Sequence, residues 1–225
     1  MSLDLESYAR ILHGFAGARI DYAGLRGSPQ WAGILRGLAS SDPAALASRE
    51  ERLAFWINAY NVLALDLVAA HWPVASIVDI GTAQRPVWGR TAGVVHGFDV
   101  TLDQIEHEEL RPLGDPRIHA AIVCASRSCP SLAREPYTAA GIDAELDRAF
   151  AGFVADRGKG FAIDRAASVV RLSSIFKWFA QDFDKQGGAL SMIGRYLSVE
   201  DRAWLEENAR TARREYMSYD WHVNG

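Results

Sequence analysis

A long apolar segment constrains the fold of this chain more than any other feature. The run Ser48–Trp72 is apolar on nearly every face of a helix, and Pro73 ends it because proline cannot continue a helix. Such a helix has to be surrounded by other elements. The polar residues Asn58, Asn61 and Asp66 interrupt the run, so we interpret it as the buried central helix of a globular domain and expect no transmembrane segment.

The remaining patterns predict further helices and short strands around this central helix. Helices are predicted over residues 3–14, 29–38, 101–110, 141–157 and 173–183. Strands are predicted as a hairpin over 93–100, a buried strand over 118–123, a second hairpin over 161–173 and an antiparallel strand over 214–223. We find no repeat and no linker that would separate two cores. The prediction is an α+β fold: a mainly helical single domain, residues 1–225, whose central buried helix packs on a small antiparallel sheet.

Composition and charge limit the classes of function. About half of the 225 residues are apolar and 23% are charged, with a net charge of −4. Lys and Arg do not cluster, so we expect no nucleic-acid partner. The first residues show neither a basic n-region nor an apolar h-region, so we expect no export signal in the chain as given. The compartment stays open: soluble and cytoplasmic as given, or exported if a signal was trimmed from the N terminus.

The predicted helix at "TLDQIEHEEL" carries a carboxylate on its apolar side. Thr101 and Gln104 form a capping-box pattern at its start. On a wheel of 100° per residue, Glu106 falls in the apolar sector and His107 on its flank. A buried carboxylate needs a partner. Either Glu106 bonds a framework donor such as Arg117, or Glu106 and His107 form a pair for acid–base chemistry.

Both cysteines of the chain lie in "RIHAAIVCASRSCPSL". Alternation along the predicted strand puts Cys124 and His119 on opposite faces, which favours His107 as the base for a Cys124 nucleophile. The "ASRS" loop that follows offers the backbone amides of residues 125–128, including Ser128, and the guanidinium of Arg127. These groups are candidates to stabilise a thiolate or an oxyanion.

Cys129 permits several interpretations. Pro130 is typical of a first helical turn, which would place Cys129 at a positive helix end and lower its pKa. Alternatively, Cys124 is simply a buried core thiol, or the two cysteines form a disulfide or a reversible redox bridge. A zinc site is disfavoured because CxxxxC is not a usual ligand spacing. We expect no metal and no cofactor.

Asn58 and Asn61 lie three residues apart on one face of the central helix. Their amides are suited to binding a substrate backbone or to holding a loop of the protein itself.

Five blocks of sequence, taken in order, resemble a known family. They are "FWINAYN", "TLDQIEHEELR", "DPRIHAAIVCASRSCPSL", "LSSIFKWFAQDF" and "YDWHVN". Together they are similar to the bacterial branch of the domain of unknown function 547 family over residues 50–224, which leaves residues 1–49 as a helical N-terminal extension. The resemblance places emphasis on Asn58, Asn61, Glu106, His107, His119, Cys124 and Cys129.

The layout also resembles, at the level of the fold, papain-like and transglutaminase-like thiol enzymes, although here the Glu and His precede the Cys. The first functional hypothesis is a thiol-dependent hydrolase or acyltransferase acting on an amide, peptide or thioester. In it Cys124 is the nucleophile, His107 the base and Glu106 an orienter or acid. The alternative is a non-enzymatic domain that binds a peptide or small molecule and uses its cysteines structurally. The oligomeric state stays open.

Overall fold

The protein has the mainly helical α+β fold that the sequence predicts, with 53% helix and 12% strand. A computed structural model describes residues 3–15 and 19–225. The α-helices are α1 (Leu5–Phe15), α2 (Tyr22–Gly27), α3 (Pro29–Ala39), α4 (Arg49–Ala70), α5 (Leu102–Gln104), α6 (Ile142–Ala155), α7 (Ile175–Trp178), α8 (Ala180–Asp184), α9 (Ala189–Gly194) and α10 (Val199–Asn208). The strands are β1 (Thr91–Val95), β2 (Phe98–Thr101), β3 (Phe161–Asp164), β4 (Val169–Leu172) and β5 (Arg213–Tyr216).

The central helix α4 is confirmed. Ser48 and Glu51 form a capping box at its start, and 16 of its 22 residues are buried. By length and composition alone α4 could cross a membrane, but 89% of its most apolar window is buried within the protein. This burial is typical of a core helix.

The first predicted hairpin is confirmed as the antiparallel pair β1–β2. His96 and Gly97 make the two-residue turn with φ of 52° and 78°, as hairpins of this length require. β1 packs directly on α4: a Cβ on Gly93 would overlap a methyl group of Leu63. Glycine therefore permits the close approach of strand and helix.

The second sheet differs from the prediction. β3 and β4 form the expected hairpin, but β5 pairs with β4 in the parallel direction and ends at Tyr216. The predicted antiparallel strand over 214–223 is therefore wrong. Residues 217–224 instead run back to the segment that carries the cysteines, where Ser126 and Val223 form an isolated bridge.

The predicted buried strand over 118–123 is also wrong. Residues Pro116–Ala120 form a 3-10 helix, in which Asp115 accepts a hydrogen bond from the backbone N–H of Arg117 and Pro116 occupies the first turn. Apolar runs of this length do not distinguish a strand from a short buried helix. The alternation of faces predicted for His119 and Cys124 therefore does not apply.

The helix at residue 101 begins with the predicted capping box but changes pitch after one turn. Ile105–Leu110 is a π-helix and Arg111–Leu113 a 3-10 helix. Such wide turns are frequent at functional sites.

The buried apolar side chains form two adjacent clusters. The first contains α4 and the elements packed around it, and the second contains β3, β4 and the helices after them. Helix α6 contributes Leu146 to the first and Phe150 to the second. That the chain is one domain, with residues 1–49 as an extension, stays a prediction.

Candidate functional site

A cavity of about 330 Å³ gathers the two cysteines, the conspicuous Glu106 and two of the histidines. It is lined by Tyr60, Trp88, Asp103, Glu106, His107, His119, Ile122, Cys124, Cys129, Ile175, Trp178, Phe179, Tyr219 and Trp221. The lining comes from α4, α5, the π-helix, residues 119–129, residues 175–179 and residues 219–221, with Trp88 from the 3-10 helix before β1. Residues far apart in sequence therefore share one site.

The thiol of Cys124 is surrounded by hydrogen-bonding groups. Its Sγ lies 2.8 Å from Cys129 Sγ, 3.1 Å from the Ser126 hydroxyl and 3.4 Å from the Tyr219 hydroxyl. The backbone N–H of Cys124 donates to Cys129 Sγ at 2.8 Å. Both cysteines are free thiols.

Burial and these contacts shift the pKa values of the cavity groups in different directions. Burial alone would raise the pKa of the Cys124 thiol, but hydrogen bonds from Cys129, Ser126 and Tyr219 outweigh it and lower the pKa to about 7. Burial and the hydrogen bond to Cys124 raise the pKa of Cys129 well above its ordinary value. Burial likewise raises the pKa of Tyr219. Cys124 therefore takes the negative charge, while Cys129 and Tyr219 keep their protons and donate to it.

The backbone around Cys124 is held from two sides. Asn61 donates to the carbonyl of Ala121 at 3.0 Å and accepts from the N–H of Val123 at 2.8 Å. After Cys124, the buried Ala125 has φ of 62°, a strained conformation for a residue with a Cβ. Its carbonyl accepts from the N–H of Asn224. The turn that presents the thiol is thus imposed by tertiary contacts.

Asn58 and Asn61 serve the protein framework. Asn58 donates to the carbonyl of Tyr137 at 2.7 Å and accepts from its N–H at 3.0 Å. Both asparagines are buried, with 0% and 2% exposure. Their amides are satisfied by backbone, so their assignment as substrate-binding residues is corrected.

Arg127 and Ser128 do not line the cavity. The N–H of Arg127 donates to the carbonyl of His222 at 2.9 Å, and that of Ser128 to the carbonyl of Asp220 at 3.2 Å. The Arg127 side chain is exposed and lies 4.0 Å from Asp220. The prediction that these two residues form an oxyanion site is wrong, because the C-terminal segment already uses their amides.

Cys129 is not at a helix start. Residues 130–141 form no helix in the structure, so the expected lowering of the Cys129 pKa by a helix end is wrong. The 3% exposed side chain acts as a donor to Cys124.

Glu106 faces the core, as predicted, but its neighbour is His119. Glu106 is 9% exposed and its Oε1 lies 3.4 Å from His119 Nδ1. Neither atom has a hydrogen-bond partner among the described residues. The alternative partner, Arg117, instead pairs with Asp115 at 2.8 Å.

The other side of His119 is anchored by Asp182. His119 Nε2 lies 2.9 Å from Asp182 Oδ2, and Arg111 donates to both oxygens of the same carboxylate at 2.7 and 3.2 Å. Burial would raise the pKa of Asp182, but the hydrogen bonds from His119 and Arg111 outweigh it and hold the pKa below its ordinary range. Since a carboxylate only accepts, Nε2 carries the proton and Nδ1 faces Glu106. Phe179 stacks on the His119 ring at 4.0 Å.

His107 lines the same cavity but is held differently. Its Nδ1 lies 2.8 Å from a guanidinium nitrogen of Arg111, which can only donate. In the neutral ring Nε2 therefore carries the proton, 4.0 Å from Asp103. The thiol of Cys124 makes its hydrogen bonds to other groups, and a ring whose acceptor nitrogen is occupied is a poor base.

An aromatic wall closes one part of the cavity. Trp178 stacks on Trp221 with ring centres 5.5 Å apart, and Tyr219 lies 4.4 Å from Trp221. Trp88 lies 5.7 Å from Trp221. The described residues, 3–15 and 19–225, contain no group of three or more His, Cys, Asp or Glu placed to hold a metal ion.

Comparison with known proteins agrees with the motifs. Residues 44–154, about half of the chain, match the family model described as "Protein of unknown function, DUF547". The resemblance to the DUF547 family is confirmed. No curated protein and no solved structure matches the chain. The extension of the resemblance to residue 224, its bacterial branch and the likeness to papain-like and transglutaminase-like enzymes stay predictions.

The DUF547 segment contains both cysteines, Glu106, His107 and His119, whereas several other site residues lie beyond it. Sequence reasoning assigned no role to Asp182, Tyr219 or Trp221. The available signal was weak: Asp182 is a carboxylate inside the aromatic run "WFAQDF" and the other two stand in "YDWHVN".

Proposed function

We propose that this cavity is the active site of a thiol-dependent hydrolase or acyltransferase that acts on an amide, peptide or thioester. The observation that carries the proposal is the Cys124 thiol, which lines a cavity and whose pKa is lowered to about 7 by three hydrogen-bond donors. A thiolate at neutral pH is the reactive form of cysteine. This thiol needs no imidazole beside it to ionise.

The acid–base role falls to the Glu106–His119 pair and not to His107. The Nδ1 of neutral His119 would repel the Glu106 carboxylate 3.4 Å away, so one proton between them stabilises the pair. Asp182 fixes the ring through Nε2. His107 contributes a donor at Nε2, because Arg111 occupies its Nδ1.

The reaction has two balanced steps. The Cys124 thiolate attacks the acyl carbon and forms a C–S bond, and the C–N or C–S bond to the leaving group breaks as the leaving atom takes the proton of the Glu106–His119 pair. Water or another acceptor then attacks the thioester, returns a proton to the pair and releases Cys124 as thiolate. The Tyr219 hydroxyl remains a donor beside the sulfur.

The test is formation of an acyl-enzyme. The protein is incubated with a panel of thiophenyl esters and anilides, and acyl adducts are located by mass spectrometry. We expect an adduct on Cys124 that decays in water, its absence in Cys124→Ser, and its persistence in Cys129→Ser. Failure of every panel member to acylate Cys124, although iodoacetamide labels it, contradicts the proposal.

A second readout distinguishes a role of the Glu106–His119 pair as the acid from a purely structural role. Replacing His119 with Asn should slow anilides far more than thiophenyl esters, since only the poor leaving group needs a proton. Equal slowing of both substrates would argue against the pair as the acid.

The alternative of a non-enzymatic binding domain has one observation in its favour. The amides of Arg127 and Ser128 are bound to the C-terminal segment, so neither stabilises an oxyanion. Under this alternative, Cys124→Ser binds ligand as the wild type does and no panel member is turned over.

A further inference from the structure

The charged residues that line the cavity have one sign. Asp103 and Glu106 are carboxylates, whereas no Lys or Arg of the described residues is part of the lining. The nearby Arg111 is engaged by Asp182 through two hydrogen bonds. Electrostatics in such a cavity favour a cation and oppose a carboxylate or phosphate.

Glu106 is the second, independent indication. It is nine-tenths buried, and its Oε1 is buried and accepts no hydrogen bond from the described residues. In the proposed function one proton lies between Oε1 and His119 Nδ1, and once that proton passes to the leaving group the buried carboxylate is left without a donor, which is costly to the folded protein. A donor or cation supplied by a ligand would remove that cost.

The aromatic wall has the chemistry that complements a cation. Trp88, Trp221 and Trp178 follow one another with ring centres 5.7 and 5.5 Å apart, and Tyr219 packs beside them. Trp178 is 48% exposed, so part of its surface is accessible. The faces of Trp and Tyr rings attract ammonium groups.

We propose that the cavity recognises a substrate carrying a compact organic ammonium group, held between the aromatic wall and the carboxylates of Asp103 and Glu106. The volume of about 330 Å³ is at the lower end for ligand sites and suits a small molecule or a single side chain. This inference rests on the proposed function and names the substrate class of the same site. Ligand binding itself requires no thiol chemistry.

The test compares two probes of the same shape and different charge. Choline and its uncharged isostere 3,3-dimethyl-1-butanol are titrated into the full chain by calorimetry. We expect choline to bind about tenfold more tightly, a ratio that a cation–π contact with a nearby carboxylate supplies. Equal affinities, or no binding of choline at millimolar concentration, would overturn the inference.

Variants assign the effect to the cavity. Asp103→Asn and Glu106→Gln should each weaken choline binding by roughly fivefold or more and leave the isostere unchanged. Asp99→Asn is the matched control, because Asp99 is an exposed carboxylate on β2 that does not line the cavity. Thermal melting shows whether each variant folds. If Glu106→Gln does not fold, choline binding by Asp103→Asn still tests the inference, because Asp103 is half-exposed.

Cys124→Ser has no thiol to acylate and should bind choline as the wild type does, so binding and acylation are tested separately. Selective choline binding without acylation of the wild type would leave the inference standing and remove the enzyme. Acylation of Cys124 by neutral substrates, together with no preference for choline, would do the opposite.

Discussion

Replacing Cys129 with Ala should raise the pKa of the Cys124 thiol. The Sγ of Cys129 lies 2.8 Å from that of Cys124, and its hydrogen bond is the largest of the effects that lower the pKa against burial. Without this donor the thiolate loses its closest partner, while burial continues to oppose the charge. We therefore expect the pKa of Cys124 to rise from about 7 to the ordinary thiol value of about 8.5 or above.

The size of the effect follows from the two pKa values. At pH 7 the thiolate fraction would fall from about one half to about 3%, which is roughly 15-fold. A thiolate of higher pKa is intrinsically more nucleophilic, and with a Brønsted coefficient near 0.45 its alkylation rate constant rises about fivefold. The alkylation rate at pH 7 should thus fall only about threefold. The midpoint of the alkylation rate against pH is therefore the decisive quantity.

The assay is the rate of iodoacetamide labelling of Cys124 across pH, without reductant, with the labelled residue mapped by mass spectrometry. Cys129→Ser is the matched control, because its hydroxyl keeps a donor for the Cys124 sulfur and an acceptor for the N–H of Cys124, which donates to the Cys129 sulfur in the wild type. The Ser variant should keep a midpoint below that of the Ala variant. An unchanged midpoint in Cys129→Ala, with the protein folded, would refute the reasoning.

Three further predictions concern stability, each measured by urea unfolding. Asp182→Asn should lower the free energy of unfolding by about 3 kcal/mol because it removes one partner from a buried ion pair. The pKa of Asp182 is lowered in the folded state, so this contribution to stability is present above pH 4 and is lost as the pH falls below it. Equal acid sensitivity of wild type and variant would contradict this. Asn61→Ala should cost about 2–4 kcal/mol by orphaning two buried backbone groups, and a loss below 1 kcal/mol would show that water replaces the amide. Gly93→Ala should cost about 1–3 kcal/mol because its methyl would overlap Leu63, and the double variant with Leu63→Ala should recover part of that loss.

Local signals in the sequence were sufficient for much of the fold. The start of the central helix at Ser48, the capping box at Thr101 and the turn at His96 each involve residues within a few positions of one another, so propensity and spacing predict them. The strand predicted after Arg117 was wrong because local signals there do not decide the structure. Its apolar run suits a strand or a short helix equally, and the tertiary contacts of Asn61 decide where its backbone goes.

The candidate site was predictable in part. The burial of Glu106 followed from its position on the apolar side of a capped helix. The choice of partner did not, because His119 reaches Glu106 only once its segment forms a 3-10 helix instead of a strand. Asp182 lies 63 residues from its partner His119, and a single sequence does not show which residues so far apart in the chain are in contact.

The sequence by itself determined the mainly helical α+β class, the buried central helix and the identity of the groups that could react, because apolar periodicity, caps and residue chemistry are properties of short stretches. Only the tertiary structure decided which of those groups meet. The C-terminal segment takes the amides of Arg127 and Ser128 and brings Tyr219 to the Cys124 sulfur. The acidity of Cys124 depends on distances of a few ångströms between residues far apart in the chain, and these distances exist only after the segments have packed.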